Sequence, residues 1–159
     1  MKPSTSPPVQ WFQGMAYDAE SDRVLLWRGG FDDSIWAYDF NTNTWTEKET
    51  DERPSKGAFG WLTYDSESDR SILYGGGHWE GSSTADETWA YDYNTNTWTK
   101  MEPNESPPEL TIHAMAYSPT LDVVVLFGGR VGAGSTYSAE TWTYDCNSDT
   151  WTNVTLGQE

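Results

Sequence analysis

One unit occurs three times in this chain. WAYDFNTNTWT begins at Trp36, WAYDYNTNTWT at Trp89 and WTYDCNSDTWT at Trp142, each start 53 residues after the last. Upstream of each copy lies a second repeated block: MAYDAESDRVLLWRGG from Met15, LTYDSESDRSILYGGG from Leu62 and MAYSPTLDVVVLFGG from Met115. A period of this length, built from short apolar runs that end in glycine, is the mark of stacked β-sheet units. Such units cannot bury their own faces alone and need neighbours.

Each unit splits into four short strands, a to d, separated by turn residues. In the first unit they are expected over residues 23–28 for b, 35–39 for c and 43–48 for d, with a over residues 13–18. Val24, Leu25, Leu26 and Trp27 form an unbroken apolar run, as expected of a strand covered on both faces. The a–b and c–d turns are short and polar, rich in the Asp, Asn and Ser that bond their own backbone. The reading is an all-β chain of three four-stranded antiparallel meanders. It divides into a tail over 1–12, a first unit over 13–50, a second over 51–103, and a third with the C-terminal tail over 104–159.

The order of apolar strand, paired glycines, Tyr-Asp and then Trp resembles the kelch repeat. The glycine pairs are Gly29-Gly30, Gly76-Gly77 and Gly128-Gly129, the third set one place out of line with the others. The motif tyrosines are Tyr38, Tyr91 and Tyr144, and the tryptophans Trp45, Trp98 and Trp151. The resemblance implies that each unit is a propeller blade with strand a innermost, and that the Tyr and Trp rings pack between blades. It also implies a basic residue or His early in strand a, a place that only His113 fills. Glu87 and Glu140 align with Ser34, and in kelch-like blades a group there accepts backbone hydrogen bonds.

A propeller closes with about four to eight blades, so three leave two faces bare. The expectation is a six-bladed ring completed by homodimerisation, blade 3 of each chain on blade 1 of the other, with part of a longer propeller as the alternative. A symmetric closure of this kind is usual for homo-oligomers.

Nine basic against 25 acidic residues give a net charge of −16, which disfavours nucleic acid and anionic membranes as partners. No run is long enough to span a bilayer and no signal peptide is visible, so the compartment stays undetermined. Cys146 stands where Phe40 and Tyr93 stand in the other copies, the place of a semi-buried hydrophobe. His78, His113 and Cys146 lie on three different elements, too scattered for a copper site, and no metal or other cofactor is expected.

Differences between copies point to a ligand face. From the first Tyr to the Trp the second and third copies run 34 residues and the first 28, the extra six falling in the b–c loop. In a propeller the b–c and d–a loops share one face, and variable loops on a rigid scaffold are where binding usually resides. The candidate ligand residues are Trp61, His78, Trp79, Glu80, Arg28, Arg130, Tyr137 and His113. Exposed rings beside polar groups suit a protein or carbohydrate partner. The weight falls on a non-catalytic binding or protein-interaction module. A structural or designed repeat scaffold and a carbohydrate-active enzyme of kelch-like fold are the alternatives, since fold alone does not license an enzyme.

Overall fold

The computed structural model describes residues 5–9, 13–29, 33–54, 60–77 and 85–156. These form fifteen strands and no helix. Twelve make three four-stranded antiparallel sheets in plain meander order. The first sheet is β1 (Gly14–Asp18), β2 (Arg23–Arg28), β3 (Ser34–Asp39) and β4 (Thr44–Lys48). The second is β5 (Trp61–Asp65), β6 (Arg70–Tyr74), β7 (Thr88–Asp92) and β8 (Thr97–Lys100). The third is β10 (Ala114–Ser118), β11 (Val123–Phe127), β14 (Thr141–Asp145) and β15 (Thr150–Asn153). The remaining three, β9 (Leu110–Thr111), β12 (Arg130–Val131) and β13 (Thr136–Tyr137), form a small sheet that the repeat pattern did not announce.

The sheets stack face to face, and two cores fill the joints. Between sheets one and two lie Leu25, Trp27 and Ala37 from one side and Leu62, Leu73, Tyr91 and Trp98 from the other. Between sheets two and three lie Ile72, Tyr74 and Ala90 against Met115, Val124, Leu126, Tyr144 and Trp151. Side chains alternate across a strand, so Ile72 and Leu73 of one run feed opposite joints. This is why strand b is apolar throughout. Trp98 and Trp151 each meet two rings, the tyrosine of their own blade and an aromatic of the blade before. Trp98 lies 5.0 Å from Tyr91 and 5.1 Å, edge-on, from Trp27. Trp151 repeats this, 4.8 Å from Tyr144 and 5.0 Å from Tyr74. Cys146 is half-buried and packs on the second core, where burial pushes its thiol pKa up.

Tyr-Asp pairs stand at five of the six turns, and Tyr117-Ser118 stands at the sixth. In the c–d turns Asp39, Asp92 and Asp145 each accept, through Oδ1, the backbone N–H groups two and three residues on. The preceding tyrosines, Tyr38, Tyr91 and Tyr144, donate their hydroxyls to Asn43, Asn96 and Asp149 at 2.8–2.9 Å. Those acceptors sit at φ 50–56°, a left-handed conformation that Asn and Asp tolerate best among side-chain-bearing residues. The a–b turns use the same device, with Tyr17, Tyr64 and Tyr117 donating to Asp22, Asp69 and Asp122. Burial, together with the bond to Asp149, pushes the Tyr144 hydroxyl far above the usual tyrosine range and keeps it a donor. Burial draws the Asp92 carboxyl upward, but the bonds from Thr95 and Asn94 and the charge of Arg70 outweigh it and hold the group ionised below its ordinary value.

The ladder register corrects the alignment of the glycines. Trp27, Tyr74 and Phe127 pair with Gly14, Trp61 and Ala114, so they are one repeat position. Gly75-Gly76 and Gly128-Gly129 are therefore in line, and their φ values agree: 63° and 111° against 71° and 102°. Blade 1 is the exception, because Arg28 continues its strand opposite Ser34.

Candidate functional site

The d–a connection of blade 2 reaches the b–c side of blade 3 and is pinned there. Leu110–Thr111 pairs antiparallel with Arg130–Val131, which in turn pairs with Thr136–Tyr137. The b–c loop of blade 3 and this d–a connection thus lie together. Gly75 and Gly129 make the crossing possible. A Cβ on Gly75 would stand 2.5 Å from the Leu110 carbonyl, and one on Gly129 2.8 Å from His113 Cβ.

His113 is the wedge of this crossing and is 2% exposed. Its ring stands edge-on to Tyr74 at 5.8 Å, and neither ring nitrogen has a hydrogen-bond partner. Burial without a partner lowers its pKa to about 4, so it is neutral at physiological pH. Its place is the interior of the joint between blades 2 and 3.

Arg28 is also buried, 4% exposed, and donates through Nη1 to Ser34 Oγ. Arg130 folds onto its own loop, Nε and Nη2 donating to the carbonyls of Gly134 and Ala133. Tyr137, beside it on β13, is 74% exposed. Trp61 opens β5 at the d–a end and is 41% exposed. Ile112, which no motif singled out, lies between the buried Thr111 and His113, is 56% exposed and takes φ 57°. A β-branched residue there is strained, and such strain persists only where the surroundings impose it. Gly30, His78, Trp79 and Glu80 lie outside the described residues.

The residues aligned with Ser34 serve the indole two places on. Trp89 Nε1 donates to Glu87 Oε2 at 3.0 Å, Trp142 Nε1 to Glu140 Oε2 at 2.8 Å, and Trp36 Nε1 to Ser34 Oγ at 3.2 Å. These are side-chain bonds to an indole of the same blade. Glu87 also holds Lys100 at 2.7 Å.

Two further features lie away from this loop cluster. A groove of about 490 Å³ runs between the blade 1 d–a connection, with Glu49, Asp51 and Glu52, and the blade 2 c–d turn, with Asn96 and Trp98. The start of that connection therefore follows the outer rim, and Asn96 Nδ2 donates to the Glu49 carbonyl there. Among the described residues, Asp18, Glu20 and Asp69 bring ligand atoms within 4.8 Å of one another. These carboxylates already serve the turns: Asp18 accepts from Ser21 N–H, Asp69 from Tyr64, and Glu20 and Asp69 share the Asn94 amide.

Four-stranded meanders, stacked through aromatic joints with glycines at the end of strand b, are the blades of a propeller-type repeat protein. The chain belongs to the kelch-repeat family: residues 2–159 match the model described as the KLHDC2/KLHL20/DRC7 Kelch-repeats domain. A search of curated proteins found no match. Among the described residues no helix is long and apolar enough to cross a membrane.

Proposed function

We propose that this chain is a non-catalytic protein-interaction module whose contact surface is the side carrying the b–c and d–a loops. One observation carries the reading: the pairing of β9 with β12 gathers both kinds of loop, and Trp61, Ile112 and Tyr137 expose apolar surface at the ends of the strands there. The opposite ends of the blades are occupied by six short turns, each closed by its own tyrosine hydroxyl bond. Kelch membership supports a protein-interaction role, and the −16 charge favours a partner with basic groups around an apolar contact. Polar rims with aromatic anchors at their centre are the usual build of such contacts.

A random peptide library, displayed on phage and selected on the immobilised chain, tests this. Selected peptides should lose most of their binding to Trp61→Ser and Tyr137→Ser variants, and keep it when turn residues such as Thr42 and Thr95 are changed to Lys. Peptides that ignore the first pair and respond to the second would overturn the reading. A response to a glycan panel, with none to peptides, would move the ligand class to carbohydrate through stacking on Trp61.

A further inference from the structure

The two internal joints use the same repeat positions, and on the outer faces of blades 1 and 3 several of those positions are exposed, although Leu26 of blade 1 stays buried. On the face a blade offers forward, Trp27 and Tyr74 are 1% and 0% exposed, each edge-on to the next blade's motif Trp. Their counterpart in blade 3 is Phe127, 56% exposed. On the receiving face, Leu62 and Met115 are 1% and 7% exposed, whereas Met15 of blade 1 is 53% exposed. Tyr93 and Cys146 pack against the joints, whereas Phe40 is 79% exposed. Trp45 stacks on Tyr38 at 5.0 Å as its counterparts do, but it is only half-buried.

We infer that a second copy of this chain covers both faces, blade 3 of each packing on blade 1 of the other. Phe127 takes the place of Trp27 and Tyr74 against Trp45 of the second copy. The surfaces to be joined are continuations of a joint the chain already makes twice. Two copies give six blades, within the range that closes a ring, and a twofold axis makes the two new joints identical. Apolar area of this kind on a soluble protein marks an interface.

A polar clasp matches independently. Asn94 and Asn147 each reach back from the c–d turn to the a–b turn of the blade before, donating to Glu20 Oε2 at 3.3 Å and Glu67 Oε2 at 2.6 Å. Asn41 is the same residue in blade 1 and donates to Asp22 of its own blade at 3.1 Å. The blade 3 residue aligned with Glu20 and Glu67 is Thr120, whose hydroxyl is also an acceptor, shorter and uncharged. The new joint therefore repeats the clasp without adding a carboxylate to an acidic protein.

Light scattering on a sizing column, across a dilution series of the full chain, should give twice the 18.0 kDa chain mass. Phe127→Glu and Met15→Arg each alter an exposed residue and should each yield a monomer with unchanged far-UV circular dichroism. Mixed in equal amounts, the two should restore the dimer, because both changes then fall in one joint and leave the other wild type. If either variant fails to fold, Phe40→Glu replaces Met15→Arg and Phe127→Ser replaces Phe127→Glu. A wild-type monomer would overturn the inference and assign the bare faces to further blades. So would open-ended oligomers, a dimer indifferent to these variants, or variants that do not complement. None of the outcomes depends on Trp61 or Tyr137, so failure here leaves the loop-face reading standing.

Discussion

The Tyr91 hydroxyl donates to Asn96 Oδ1 at 2.8 Å, and Asn96 turns the chain at φ 56°. Asn96→Ala removes the acceptor and leaves a residue that disfavours this conformation, so urea unfolding should show a loss of about 1–2 kcal/mol. Asn96→Asp should stay within roughly 0.5 kcal/mol of wild type, because Asp149 performs the same task for Tyr144 in blade 3.

Gly129 and Gly134 lie in the same loop region and should respond in opposite ways. A Cβ on Gly129, at φ 102°, would press on His113 Cβ at 2.8 Å and the Thr111 carbonyl at 3.1 Å. Thr111 is held in the small sheet and His113 is buried against Tyr74, so Gly129→Ala should lower stability by about 2–4 kcal/mol. A Cβ on Gly134 meets nothing nearer than 3.6 Å, and Gly134→Ala should be close to neutral in a calorimetric melt.

His113 makes stability depend on acid. Its folded pKa of about 4 lies below the ordinary 6.5, so the unfolded chain binds the proton first as pH falls. The stability His113 permits is complete above pH 6.5 and is lost as pH falls toward 4, by about 3 kcal/mol at the limit. His113→Gln should flatten that part of a stability profile measured between these pH values, whatever its effect on absolute stability.

Cys146 should be a slow thiol. Burial raises its pKa, and the group packs on the joint between blades 2 and 3. Reaction with a disulfide reagent should be many-fold slower in the native protein than in denaturant at the same pH. Equal rates would mean that this joint opens readily.

The repeat made the blades legible before any coordinates, because Tyr-Asp, Trp and the apolar strand b are each tied to a local task. The strand ends came within a residue: β1 begins at Gly14 and β4 at Thr44, against 13 and 43 from the pattern. The alignment of glycines failed in blade 2, where three stand in a row and only the ladder shows which two turn the chain. The small sheet was invisible because two-residue strands such as Leu110–Thr111 carry no periodicity. Arg28 and His113 stood among the candidate ligand residues, yet both are buried, and for His113 the cover comes from Tyr74 and Gly129, a tertiary effect that local sequence does not encode. Ile112 left no signal at all, since a left-handed isoleucine is set by what surrounds it.

In all six turns the tyrosine hydroxyl finds its acceptor within a window of six residues. A gene segment copied in units of one blade would therefore carry these closures with it, leaving only the Asn clasp to be matched by the blade before. Loops on the other side, pinned across blades as β9 is to β12, would have to be renegotiated at each copying. Growth by duplication would thus leave one rim uniform and the other free to diverge, so the history of such a chain would be written on a single side of it.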